Sequence, residues 1–287
     1  YETQCRQGLS SFWELVIVSS YLSFFTETGE KHPEIRVQPS TPAVLPAYFK
    51  DAGSLVSVDK ADILQQIRVV KDAEELKALK SEYELAGKAF LASLEGWSYG
   101  SSEQEWAALL EYNMKKLGAV GPSFETIVAS GARGALPHGT ASDKIIDADD
   151  AVTIDFGSVR IYNSDYTRVV YDGNHPEILK IIDVVRQAME SAIDFVRPGV
   201  QAADVDKVAR EFIADQGYGA YFNHGLGHGV GVQVHEMPHV SPRSDMTVTE
   251  GMVFTVEPGI YLPDRYGIRL EQTVYVNSSG CELLSNV

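Results

Sequence analysis

The stretch His224-Gly-Leu-Gly-His228-Gly-Val-Gly-Val-Gln-Val-His235-Glu-Met-Pro238 concentrates the chemistry of this chain. Together with His239 it holds four of the seven histidines within sixteen residues. Imidazole is the commonest metal ligand and the usual proton carrier near neutral pH. The interspersed glycines let backbone and ligands approach closely. Carboxylates elsewhere could complete such a site. Asp155 lies in Val-Thr-Ile-Asp-Phe-Gly157 and Asp165 in Tyr162-Asn-Ser-Asp-Tyr-Thr-Arg168, each at the edge of an expected strand. A hairpin between them would bring the two together, and adjacent carboxylates repel unless a cation neutralises them. The bland alternative is a turn aspartate plus a partner for Arg168. Glu257 follows the apolar run Met252–Val256, and Glu271 lies two residues beyond Arg269. Buried glutamates are rare unless paired or metal-bound. An Arg269–Glu271 ion pair along one strand face is the plain reading of the second.

Two aspartates, two glutamates and a histidine make an oxygen-dominated set that suits Mn²⁺, Co²⁺, Fe²⁺ or Zn²⁺. Such a set is too large for a single tetrahedral catalytic zinc with an open position. It fits two divalent ions sharing carboxylates and a bridging water, a device for hydrolysis.

The elements that must position these residues follow from patterning. Asp72-Ala-Glu-Glu75 opens a helix as a capping box, with Leu76, Leu79, Tyr83, Ala86 and Phe90 on its buried face. Ser102-Glu-Gln-Glu105 opens a second, with Trp106, Leu109, Leu110 and Leu117 inward and Gly118 as its stop. A third runs from Pro176 to the Pro198-Gly199 break, and a fourth over 202–216. Strands are expected at Phe124–Ser130, Ala151–Phe156, Tyr166–Tyr171, Met252–Val256 and Ile268–Val276. The order helix, helix, strands occurs twice, over 72–171 and 176–276, which hints at a duplication. The fold class is α+β, a curved antiparallel sheet with helices on one face. Before it, 1–59 reads as a small α/β piece with a strand at Glu14–Val18 and a helix at Ser20–Gly29, and Asp59–Lys71 reads as a connector.

Bulk properties exclude other classes. The 24 Lys+Arg against 40 Asp+Glu leave a formal charge of −16, which argues against nucleic acid and anionic membranes. No apolar run is long enough to span a bilayer. Two cysteines, Cys5 and Cys281, offer no disulfide framework and fit a reducing, cytoplasmic setting.

These motifs, in this order, resemble the creatinase/prolidase/methionine aminopeptidase superfamily with its pita-bread fold. The likeness runs from about Ile67 to the C-terminus. The run Ser130-Gly-Ala-Arg-Gly-Ala-Leu-Pro-His138-Gly-Thr-Ala-Ser-Asp-Lys144, and His224 four residues before His228, are similar to the Xaa-Pro peptidase branch. The resemblance implies two domains, a partial N-terminal creatinase-like domain with linker over 1–66 and a pita-bread catalytic domain over 67–287. It implies hydrolysis of the Xaa-Pro bond of small proline-containing peptides, as a dipeptidase or an aminopeptidase P, by a water bridging two divalent ions, Mn first among them. Asp155, Asp165, His228, Glu257 and Glu271 would be the metal ligands. His138 and His235 would hold substrate and stabilise the tetrahedral intermediate, and Glu257 would shuttle the proton. His224, Tyr162 and Arg269 would contact substrate or, for Arg269, orient Glu271. His239, His32 and His175 have no role in the motifs. A methionine aminopeptidase and a non-catalytic peptide-binding module are the rival readings. A homodimer is among the states the resemblance allows.

Two departures stand out. The step from Asp155 to Asp165 is one residue shorter than the family's usual spacing, and no Asn-Gly turn lies between them. Because 162–168 keeps its local spacing, the shortening is expected at the hairpin tip, where it does not exchange side-chain faces. The stretch before Lys71 resembles only the later half of the family's N-terminal domain.

Overall fold

The computed structural model describes residues 34–37, 50, 55–58 and 63–286. The chain divides into two compact units, Tyr1–Leu64 and Gln65–Val287. In the first, β1 (Glu34–Val37) pairs in parallel with β2 (Leu55–Val58). The strand expected at Glu14–Val18 and the helix at Ser20–Gly29 lie outside the described residues.

Where a connector was expected, α1 (Ile63–Val69) forms a short helix. Its sequence contains no glycine or proline, and leucine, glutamine and arginine all favour helix. Val69 anchors its end in the core. The next helix, α2 (Ala73–Gly96), starts as its sequence directs: Asp72 accepts from the N–H groups of Glu74 and Glu75, and Glu75 accepts from Asp72 N–H. Ser102 and Glu105 cap α3 (Glu103–Lys116) in the same way. Leu79, Tyr83, Ala86 and Phe90 of α2 and Trp106, Leu110 and Met114 of α3 are buried. Leu117, expected inward, is 45% exposed, because the helix has already ended there and Gly118 follows in the left-handed region at φ 103°.

These two helices pack over a three-stranded antiparallel sheet of β4 (Ile127–Ser130), β5 (Val152–Phe156) and β7 (Tyr166–Val170). Phe90 stacks on Phe156 and Phe156 on Tyr166, with ring centres 5.0 and 5.2 Å apart. Burying one such side chain contributes about 1.5–3 kcal/mol. Between β5 and β7, β6 (Ser158–Val159) pairs outward with β3 (Gly121–Pro122).

The second half repeats the arrangement with more strands. Helices α4 (Pro176–Phe195) and α5 (Ala202–Asp215) pack together over a second core. Its sheet runs β14 (Cys281–Leu283), β13 (Gln272–Val276), β10 (Val253–Val256), β8 (Gly227–Gly229), β9 (Glu236–Val240), all antiparallel. A separate ribbon joins β11 (Gly259–Leu262) to β12 (Tyr266–Arg269). The single strand expected at Ile268–Val276 is therefore two. Around Leu270 the chain leaves β11 and joins β10, and at this change of partner Leu270 N–H turns to Pro258 O and Glu271 N–H to Thr167 O. The α+β class with two helix pairs on antiparallel sheet stands as expected. Among the described residues, no helix is long and apolar enough to cross a membrane.

Candidate active site

Strand pairing sets the first pair of carboxylates. Asp155 on β5 lies opposite Thr167 on β7, and Asp165 stands two residues before Thr167. Residues two apart share a strand face, so Asp155, Thr167 and Asp165 point the same way. The reversal between the strands lies beyond the bridge of Val159 to Asn163. The register beside the aspartates runs without a bulge. Gly157 leads out of β5 with the Ser164 carbonyl lying where a β-carbon would be.

The remaining candidates come from the second half. His228 is on β8, Glu257 follows β10, and Glu271 sits at the change of partner between β12 and β13. One oxygen each from Asp155, Asp165 and Glu271 can be chosen so that all lie within 4.8 Å of one another. His228 Nε2 is 3.2 Å from Glu257 Oε1 and 3.6 Å from Asp165 Oδ2. The structure thus brings together all five residues expected as ligands.

Burial and crowding raise the proton affinity of three of the four carboxylates. Burial, then the charges of Glu257 and Asp155, push Glu271 up to about 8. Burial and the neighbouring Glu271 and Asp155 push Asp165 well above the usual carboxylate range. Burial and Glu257 raise Asp155, against the pull of Arg269. Burial is the largest influence on His228 and Glu257 and opposes the charge of each, but their mutual hydrogen bond and the surrounding charges together outweigh it. The net result raises His228 to about 9 and lowers Glu257 to about 2.

The donor set fits divalent cations on an independent observation. Arg269 Nη2 donates to Asp155 Oδ2 at 2.6 Å, and Thr167 donates to Glu271 Oε2 at 2.9 Å. The other oxygens, Asp155 Oδ1 and Glu271 Oε1, are buried and find no hydrogen-bond partner among the described residues. Leaving buried acceptors unsatisfied costs about 1–3 kcal/mol each, more for charged groups. A cation removes that cost and the repulsion together.

Above the carboxylates lies a cavity of about 590 Å³, lined in part by His138, Asp155, Asp165, His224, His228, His235, Glu257 and Arg269. His138 reaches it from the loop after a short 3₁₀ turn at Gly131–Ala135. The His235 ring lies 4.2 Å from that of His228. Burial, then the nearby His228, lowers the His235 pKa. His224 Nε2 meets the Tyr261 hydroxyl at 2.9 Å, and its ring sits edge-on to Phe222.

Two placements differ from expectation. Tyr162 does not line the cavity: the hairpin tip turns it toward α2, where its hydroxyl donates to Glu75 at 2.8 Å. Arg269 pairs with Asp155, not Glu271, and reaches the latter only through Thr167, whose hydroxyl accepts from Arg269 Nε at 3.2 Å.

Several contributors were missed. Thr167 carries the hydrogen bond to Glu271 just described, and Thr255 donates to Glu257 Oε1 while accepting from His228 N–H. Tyr261 joins Arg269 to His224. Thr167 and Thr255 each lie two residues from an acidic candidate, and the alternation of strand faces was the signal that could have found them; Tyr261, on the separate strand β11, carried no such signal. His239, given no role, lines the same cavity and is paired across the strands with His228.

Comparison with known proteins gives a consistent picture. The model of metallopeptidase family M24 matches residues 77–278. An Xaa-Pro dipeptidase of Pyrococcus horikoshii is 45% identical over 226 residues, 78% of this chain and 64% of that protein. The chain thus matches less than two thirds of that relative's length. The solved structure of prolidase from Pyrococcus furiosus superposes with a TM-score of 0.92 at 35% identity, covering 99% of this chain and 84% of the other. That of an X-Pro aminopeptidase from Thermotoga maritima gives 0.89 at 39% identity, covering 100% and 83%.

Proposed function

The chain belongs to metallopeptidase family M24, and from that premise we propose that it hydrolyses the bond preceding proline in small peptides. The observation that carries the proposal is the convergence of Asp155, Asp165, His228, Glu257 and Glu271, with two buried carboxylate oxygens unpartnered among the described residues. These five would hold two divalent cations, Mn²⁺ first among them. When bound, the cations supply Lewis acidity and a water acidified to near neutral pH.

The chain's own residues account for the rest of the reaction. Glu257 lines the cavity beside His228. It would take a proton from the attacking water and deliver it to the departing prolyl nitrogen. His235 and His138 line the cavity, where a ring N–H of each would donate to the carbonyl oxygen as it becomes an oxyanion. A neutral His235 still has one N–H to give. On the cavity wall, His224 and Tyr261, with ring centres 5.5 Å apart, would offer an apolar surface to the proline ring, and Phe222 backs His224 from the core. Arg269 uses four of its five N–H groups on Asp155, Tyr261, Thr167 and the Pro137 carbonyl, so its main role would be to orient Asp155.

The relatives' names support the choice of bond: Xaa-Pro dipeptidase, prolidase and X-Pro aminopeptidase all refer to proline. A methionine aminopeptidase has no such support, and a non-catalytic module would not need the whole ligand set. The test is release of free amino acids after Mn²⁺ loading, from an Xaa-Pro dipeptide, an Xaa-Pro-Yaa tripeptide and a Met-Ala peptide, with and without chelator. Chelator-sensitive cleavage of proline peptides alone is expected, and the preferred length separates dipeptidase from aminopeptidase. Turnover of Met-Ala alone would overturn the proposal.

A further inference from the structure

The cavity wall that carries His235 is held by a buried ion pair that the reaction does not use. Lys71 Nζ lies 2.8 Å from Glu236 Oε1, and both side chains are 1% exposed. Glu236 is the next residue after His235. Its other oxygen accepts from the Gln233 N–H at 3.3 Å. Gly231 packs against the same carboxylate so tightly that a β-carbon there would collide with Oε1. The loop from Gly231 to His235 is therefore wrapped around the Glu236 side chain.

That carboxylate is fixed from the other side. Lys71 N–H donates to Gly251 O at 2.8 Å, and Val70 bridges to Met252, so the lysine is tied to the segment that leads into β10, a central strand of the second sheet. The loop is also tethered by Asn163, whose backbone and side-chain N–H groups donate to Gly231 O and whose side chain also donates to Val232 O, and by Gln65, whose side chain donates to Gln233 Oε1 at 3.3 Å. A buried ion pair adds little net stability over apolar residues of the same volume. What it does provide is a defined direction, because each partner's position is set by the other.

We propose that Lys71 and Glu236 are positioning residues for His235, holding its ring toward the cavity beside His228. The inference rests on the hydrolase reading above, in which His235 meets the developing oxyanion. Positioning by groups behind a functional histidine typically matters by about 10–100-fold where it has been measured at metal sites.

A double-mutant cycle tests it on the Mn²⁺-loaded protein with an Xaa-Pro-Yaa tripeptide. The four proteins are wild type, Glu236→Gln, His235→Ala and the double variant. Glu236→Gln should lower kcat by about 10–100-fold with KM within about twofold and metal content unchanged. In the His235→Ala background the same change should cost less than about twofold, because the group it positions is already gone. An equal loss in both backgrounds, an unchanged kcat, or loss of metal would overturn the proposal. If Glu236→Gln does not fold, Lys71→Met/Glu236→Gln removes both charges and enters the same cycle. Hydrogen exchange gives a readout without turnover: Glu236→Gln should speed exchange of the Gly231 and Gln233 amides, and unchanged protection there contradicts the pinning. An inactive wild type would refute the hydrolase reading, and the exchange result would still decide whether the pair pins the loop.

Discussion

At the scale of single residues, the site divides groups that hold cations from groups that meet substrate. Glu271 is buried, with one oxygen partnered by Thr167 and the other unpartnered among the described residues. Glu271→Ala should abolish metal retention and activity together. His235 lies on the rim, so His235→Ala should lower kcat while metal content stays near normal. Equal metal loss in the two variants, measured by elemental analysis, would contradict the division. Protonation gives a second check. In chelator-treated protein, Glu271 titrates near 8 against 4.5 unfolded, so the folded state holds an extra proton between these values. Stability from this group therefore falls as pH rises across that window. His228, raised to about 9 from 6.5, adds stability that is full below its unfolded value and lost as pH rises through about 9. Cations displace both protons, so binding should release protons, and the metal-induced gain in Tm should be larger at about pH 8 than at about pH 6. Calorimetry with and without Mn²⁺ decides this, and equal gains at both values contradict it. The ligand candidates were legible because each sits in a distinctive local run. The partners Tyr261 and Lys71 were not, because their contacts to His224 and Glu236 bridge 37 and 165 residues.

At the scale of elements, the local signals read well and the long-range ones less so. Both capping boxes formed as their sequences direct, since all their atoms lie within one turn. Ser102→Ala should cost about 1 kcal/mol in chemical denaturation and leave kcat/KM unchanged, and a changed kcat/KM would link the cap to the site. The break within 268–276 escaped the pattern, since both pieces are apolar and β-branched and only the change of pairing partner separates them. That break is what places Glu271. The β5–β7 hairpin is the other decisive element. Gly157→Ala would force its β-carbon against the Ser164 carbonyl and move Asp155 relative to Asp165. Metal affinity should fall by about tenfold or more, on the order of 1.4 kcal/mol. Equilibrium titration with Mn²⁺ measures it, and wild-type affinity would show that the hairpin tolerates the shift.

At the scale of the molecule, the second unit is built from two helix pairs, each with its own sheet and core. Asp155 and Asp165 come from the first half; His228, Glu257 and Glu271 come from the second. Cations bound between them would cross-link the halves. The doubled order of elements was visible in the sequence, because amphipathic helices and short strands recur in the same succession. The division of the sheet into ribbons was not, since pairing depends on contacts that no local run encodes. The most direct measurement is titration of chelator-stripped protein with Mn²⁺, following bound metal per chain and cleavage of an Xaa-Pro-Yaa peptide in the same samples. The account predicts saturation at two ions per chain and no cleavage without them. Saturation below one ion per chain, or cleavage that survives complete chelation, would contradict it.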